Sequence, residues 1–275
     1  MDLELSYTNH LGETLSLGSG NMHYMKTDAF DHSWEWEESA GEIMGLRLSA
    51  RTLSLPMGMF GGSLDERERS FRILEADVVA GELGTLSFHG YDLTCMPVST
   101  ALDMWWFDDG IEERAVTLVA PRPFWSRDVL TPFPIAERDS SEEWLCLPCD
   151  LPIDLGTPAP ARVIDVDTVG PAEWRWVVHG PATNPYVTIA GNRYEVDVTV
   201  PDGSTLVLDT RDRTVMIVAP DGSAVNAFSS RKRGIEGSGS YAMARIPRGT
   251  HQVFSSGAFA FEVVVHDERT EPAWV

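Results

Sequence analysis

The sequence predicts a mainly β protein of two sheet-rich domains, and three observations carry that expectation. Apolar residues recur with period two over most of the chain, one stretch switches to helical period, and Gly, Asn, Asp and Pro punctuate the strands at short intervals. At 275 residues, 43% of them hydrophobic, the chain can bury two cores, and domains of roughly 130 residues are the usual size.

Leu3, Leu5 and Tyr7 alternate, as do Leu15 and Leu17, and then Leu53, Leu55, Met57 and Met59 before Gly61-Gly62. The helix follows, at about residues 63–80. Ser63 with Glu66 three residues on forms a capping box, Leu64, Phe71, Leu74 and Val78 share one face, and Asp65/Arg69 and Glu68/Arg72 are spaced as i,i+4 ion pairs. Residues 84–89 and 91–98 flank Gly90 as a hairpin, and 101–107 with 111–120 flank Asp108-Asp109-Gly110 as a second. From Pro121 to Pro160 eight prolines interrupt any period, which reads as a linker or strap because proline denies a central strand its donors. About eight short strands follow, at 163–167, 173–178, 186–189, 194–200, 205–209, 214–219 and 259–266 among others, with turns such as Pro201-Asp202-Gly203 between them. That spacing predicts a β-sandwich. The domains are therefore expected at 1–138, with the helix, and at 161–275, joined by a Pro-rich linker at 139–160.

Charge narrows the function. The net charge is −21; residues 1–138 carry 10 basic and 23 acidic side chains, and the remainder 11 and 19. Both halves repel a phosphate backbone, which argues against nucleic-acid binding. No run of 18 apolar residues occurs, and Asp2, Glu4 and Glu13 stand where a secretory signal needs basic and apolar residues, so neither a membrane span nor a signal is expected. Three cysteines, Cys95, Cys146 and Cys149, make no disulfide framework and fit a reducing cytoplasm.

Few residues carry chemistry. Cys146 and Cys149 have CxxC spacing but sit in a proline-broken stretch without further ligands nearby, which favours side-chain packing over a redox or zinc role. Seven histidines form no HExxH, and no GxSxG occurs. Asp209, Asp212 and Asp221 suit solvated turns better than a calcium site. No catalytic, metal or cofactor residue is assigned. Trp174 and Trp176 lie on one face of a strand; the core is their first reading, and a platform for sugar rings with Asn192 and Arg193 is the second. Arg231-Lys232-Arg233 sits in a Gly/Ser-rich loop, 229–240, as a solvated tip or a dock for an acidic neighbour.

Taken in order, several motifs resemble the distal tail protein family of phages with long non-contractile tails. They are Tyr7-Thr8-Asn9 with Gly12-Glu13-x-Leu15-x-Leu17-Gly18, the strand and helix from Arg51 to Gly81, Gly84-Thr85-Leu86, and Val119-Ala120-Pro121-x-Pro123-Phe124-Trp125. The Pro-rich Cys146-to-Gly156 run, Asn184-Pro185, Leu206 to Thr210 and the closing segment from Gly249 continue the series. Residues 31–45, with Trp34-Glu35-Trp36-Glu37-Glu38, depart from it. The resemblance implies a tail-tube-like amino-terminal β-sandwich that builds a hexameric ring and a galectin-like carboxy-terminal sandwich that projects outward. It implies a structural virion protein at the tail tip, assembled in the bacterial host cytoplasm, whose partners are itself, the tail tube protein, a tail-associated lysozyme-type protein and a receptor-binding protein. In such a ring, acids at Asp108, Asp109, Glu112 and Glu113 would either line the channel for DNA or belong to a solvated outer surface. A module binding host wall glycan is the alternative, and a tail-associated hydrolase a third.

Overall fold

The computed structural model describes residues 5–19, 22–24, 27–47, 49–60, 63–106, 111–135 and 162–272. It is mainly β, and the chain forms two compact units: Met1–Arg127 with Glu268–Val275, and Asp128–Asp267. The expected linker at 139–160, with Cys146 and Cys149, lies outside the described residues, as do Asp108 and Asp109.

In the first unit the strands are β1 (Leu5–Thr8), β2 (Thr14–Ser16), β3 (Met22–Tyr24), β4 (Glu35–Ser39), β5 (Glu42–Arg47) and β6 (Arg51–Phe60), then α1 (Leu64–Ala80), β7 (Gly84–Phe88), β8 (Tyr91–Trp106) and β9 (Ile111–Ala120). Strand β8 serves two ladders. Residues 91–95 pair with β7 and residues 96–106 with β9, with register shifts at Pro97/Ser99 and Leu102/Met104. The bulge at Pro97 is where a strand tolerates a residue without a donor. From there β7 continues to β1 and β2, and β9 continues to β6 and β3. The period-two residues Leu53, Leu55, Leu86, Phe88, Leu93, Val116 and Leu118 all point into one core. The β7–β8 turn has His89 and Gly90 both at positive φ, the two-residue form that follows the twist of a hairpin.

The helix begins where its cap predicts. Ser63 accepts from the Glu66 N–H, and the Glu66 side chain accepts from the Ser63 N–H; Gly81 closes the other end in the left-handed conformation. Its buried face differs from the expected one. Ile73, Leu74 and Asp77 turn inward, whereas Val78 and Val79 are exposed. A polar partner for Asp77, described below, fixes that rotation.

The strand β10 (Trp125–Phe133) begins in the first unit and continues into the second. It corrects the linker reading of residues 121–135: Trp125 and Phe133 are both buried, and of the prolines only Pro132 falls within the strand. The second unit continues with β11 (Val163–Val166), β12 (Trp174–His179), β13 (Ala182–Thr183), β14 (Tyr186–Ile189), β15 (Asn192–Glu195) and β16 (Thr199–Val200). It ends with β17 (Thr205–Asp209), β18 (Thr214–Val218), β19 (Ala224–Asn226), β20 (Gly249–Ser255) and β21 (Phe261–Arg269), the last returning to the first unit. One sheet runs β19-β18-β17-β12-β21, the other β11-β20-β14-β15. Trp174, Trp176, Leu206, Leu208, Val263 and their neighbours from the first share a core with Ile164, Val187, Ile189, Tyr194 and Val253 from the second. This is the expected sandwich.

Candidate functional site

Trp174 and Trp176 are fully buried, which corrects the stacking-platform reading, since a sugar ring needs an exposed indole face. Trp174 donates from Nε1 to the Ala244 carbonyl at 3.1 Å and meets Tyr194 edge-on at 4.6 Å. Trp176 lies 6.4 Å from both Phe259 and Phe261. Their proposed polar neighbours are occupied too. Asn192 exchanges hydrogen bonds with the Tyr241 backbone at 3.0 and 3.1 Å, and Arg193 lies over the Tyr186 ring while donating to Glu195 at 2.7 Å.

The basic loop is likewise held by its own unit. Arg231 stacks 3.5 Å from the Phe228 ring centroid and donates to the Phe228 carbonyl at 2.6 Å, and Lys232 pairs with Asp197 at 3.0 Å; Arg233 is exposed. Of the expected channel acids, Glu112 is buried, clamped between Arg67 at 2.9 Å and Arg114 at 2.7 Å, and Glu113 is half-buried. Burial with two guanidinium partners removes Glu112 from any acidic lining. Asp209 spends one carboxylate oxygen on the Arg211 and Asp212 N–H groups and the other on Arg175, and Asp221 accepts from Ser223. Among the described residues no group of three His, Cys, Asp or Glu side chains is placed to hold a metal ion.

Two buried polar clusters escaped the sequence reading. In the first unit Asp77 accepts from the Tyr7 hydroxyl, from the His10 backbone N–H at 2.8 Å, and pairs with the His10 ring at 2.5 Å. Burial, then the Asp77 carboxylate, pushes the Tyr7 phenol well up. The site has no spare room, because a Cβ at Gly84 would collide with both Tyr7 and Asp77. In the second unit the buried His266 pairs through Nδ1 with Asp128 at 2.6 Å and stands 3.7 Å through Nε2 from Asp209, which Arg175 holds at 2.9 Å. Burial works to lower the His266 pKa, but the two carboxylates outweigh it and raise it. For Asp128 the His266 hydrogen bond outweighs burial, so its pKa falls. Asp77 and His266 are fully buried, whereas His10 and Asp128 at the rims of the two clusters are 24% and 45% exposed. Cys95 is an inert thiol, pushed up to about 12 by burial.

What the first unit does expose is apolar. Among the described residues, strands β4 and β5 pair only with each other, with a bulge between Glu37 and Glu38, and form an arm joined by Ala40 and Gly41, both at positive φ. Every described side chain from 35 to 45 is exposed; Trp36, Ile43 and Met44 stand 65–67% open beside Glu35, Glu37, Glu38 and Glu42. In the same unit, α1 and the strands β8 and β9 border a groove of about 690 Å³. Phe71, Leu74, Val78, Val79, Pro97 and Val98 supply its apolar wall, and its charged edge is paired, Arg67 and Arg114 with Glu112 and Arg72 with Glu68. Arg114 lies 4.2 Å over the Phe71 ring, which holds that edge in place.

No protein-family model matches the chain, and no curated protein matches it in sequence. Solved structures do share its fold. A chain of the phage p2 baseplate in its activated conformation with calcium is 10% identical, with a TM-score of 0.63 over 99% of this chain and 100% of that one. The p2 baseplate with strontium gives 0.62 at 10% identity over 98% and 99%. The Dit (gp 19.1) protein of SPP1, described as a paradigm of hub adsorption apparatus in phages infecting Gram-positive bacteria, gives 0.60 at 10% identity over 96% and 99%. The fold shared end to end is that of phage baseplate and Dit proteins.

Proposed function

We propose that this chain is a distal tail protein, a structural hub of a phage baseplate that joins the tail tube to the tail tip. The observation that carries the reading is the reciprocal coverage: the folds of the p2 baseplate chain and of SPP1 Dit are matched over 99% and 96% of this chain and over 100% and 99% of theirs. The open apolar surfaces of the first unit support it, since such surfaces mark contacts between proteins. The first unit is assigned to a six-membered ring, the second to an outward-facing role, and the tail tube protein, a tail-associated lysozyme-type protein and a receptor-binding protein to its neighbours. The glycan-module alternative loses the two residues on which it stood, because Trp174 and Trp176 are buried. In the ring, Asp108, Asp109 and Glu113 are assigned to the channel, where carboxylates keep a DNA duplex from adhering; Glu112 is not.

Cryo-electron microscopy of tails carrying an epitope-tagged copy tests the reading. The expected image is a six-fold ring of label at the distal end of the tube. Label on isolated fibres, or absent from particles, overturns it.

A further inference from the structure

We propose that His266 is a proton-operated clasp for strand β10: the charged ring fastens Asp128 and holds β10 against β21, and the neutral ring lets residues 128–131 open. The clasp stands apart from the hub reading and does not rest on it. Asp128 and His266 lie at the two ends of the second unit, Asp128–Asp267, on the strands that carry the chain into it and out again. The two strands are neighbours in the sheet, yet they are held unequally. In β21 the side chains from Val263 to Asp267 are all buried. In β10 only the first and last residues, Trp125 and Phe133, are buried, and Arg127, Asp128, Val129 and Leu130 between them are exposed. Few apolar contacts keep that middle stretch closed, which is the condition for local opening. Its fastening is polar, because Asp128 meets the buried His266 at 2.6 Å.

The ring serves two carboxylates. Asp128 from β10 faces Nδ1, and Asp209 from the end of β17 faces Nε2 at 3.7 Å; Arg175 from β12 and Arg211 from the turn after β17 are the other charged groups around it. Only the charged imidazolium presents a proton to both carboxylates. The neutral ring has a single N–H, so one nitrogen lone pair is turned on a carboxylate where charge is poorly screened. Asp128 is the carboxylate that yields. Asp209 is 5% exposed and is held by Arg175 at 2.9 Å and by the Arg211 and Asp212 N–H groups at 2.9 and 3.0 Å. Asp128 is 45% exposed and has Arg175 no nearer than 3.8 Å, so water replaces the ring as soon as the side chain moves. With Trp125 and Phe133 buried at its ends, β10 opens as a bounded segment and does not fray from a terminus. Burial lowers the His266 pKa, but the two carboxylates outweigh it and raise it above the ordinary value of 6.5. The clasp is therefore shut below about pH 6.5 and opens as pH rises through the folded pKa.

Hydrogen exchange of the full chain, corrected for the intrinsic rate at each pH, tests the clasp, with the His266 ring titrated by NMR in parallel. Between about pH 5.5 and pH 9, protection of the amides at 128–131 is expected to fall about ten-fold further than that of the β12 and β17 amides, at the midpoint of the His266 titration. Asp128→Asn keeps the side chain's shape without its charge, and is expected to show the open-state protection of residues 128–131 at every pH. His266→Gln can still donate to Asp128 but cannot titrate, and is expected to abolish the step. A decline shared equally by all second-unit amides makes His266 a source of stability alone and overturns the clasp. So does a β10 step away from the ring's own midpoint, a step that persists in either variant, or amides at 128–131 that are already unprotected at the acid end.

Discussion

The two units treat apolar surface differently. In the second, the aromatic residues Trp174, Trp176, Tyr194 and Phe261 are sealed between two sheets; among the described residues only eight large hydrophobics are exposed there, and no tryptophan. The first exposes thirteen, including Trp34, Trp36 and Trp105, although its own core around Phe88, Tyr91 and Trp125 is as well buried. Exposure in the first unit is thus not a failure to form a core. It is surplus surface, six of the thirteen side chains lying on the arm (Trp36, Ile43, Met44) and along the α1 groove (Val78, Val79, Val98), and surface of this kind marks association.

The largest effect should separate a sealed tryptophan from an open one. Trp176→Ala removes a fully buried indole between Phe259 and Phe261 and is expected to destabilise the second unit by about 3–5 kcal/mol. Trp36→Ala should leave monomer stability within about 0.5 kcal/mol. Native-state hydrogen exchange, which reads each unit by its own amides, gives both numbers; equal losses would erase the distinction between the units.

Asp77 comes next, because it makes the first unit's helix answer to a strand. Asp77→Ala removes the acceptor of both the Tyr7 hydroxyl and the His10 N–H, at an expected cost of roughly 1–3 kcal/mol. Asp77→Ala with Tyr7→Phe should recover part of that loss. If the double variant is no better than the single one, the cluster does not anchor α1.

The second unit's cluster predicts a pH dependence. The folded His266 pKa lies above its usual value, held there by Asp128 and Asp209 against the lowering effects of burial and of Arg211. Stability from the protonated ring is therefore fully present below about pH 6.5 and is lost as pH rises through the folded pKa. Hydrogen bonds of this charged kind are worth roughly 1.5–3 kcal/mol. The protection of second-unit amides should decline over that window in the parent and stay flat in His266→Gln, while first-unit amides are unaffected. A decline that survives the substitution assigns the effect to another group.

How far the sequence reaches follows from how local each signal is. The α1 cap is written in four consecutive residues, and it forms as read. The helix face was misjudged at Val78 because hydropathy scores Asp77 as a surface residue; its inward turn depends on Tyr7 and His10, seventy and sixty-seven positions away. Glu112 was read as a channel acid for the same reason, as its partner Arg67 lies on the helix. Strand β20 went unread because Val253 is the only buried side chain in its seven residues. The arm at residues 35–45 reads in the sequence only as a departure from the family pattern, because strand periodicity does not say whether a face is covered, and here Trp36, Ile43 and Met44 are not.

The smallest effect concerns the arm's tip. Ala40 sits at φ 53° and Gly41 at φ 83°, the pair of left-handed residues that a two-residue hairpin turn requires. An alanine there carries a Cβ strain of order 1 kcal/mol, which asparagine tolerates better. Ala40→Asn creates the Asn-Gly pair and should stabilise the arm by a few tenths to 1 kcal/mol, seen as slower exchange of the β4 and β5 amides. Because the arm shares no ladder with the rest of the unit among the described residues, the global melting midpoint should not move. A raised midpoint would make the arm part of the first unit's cooperative core and remove the ground for treating its open side chains as surplus surface.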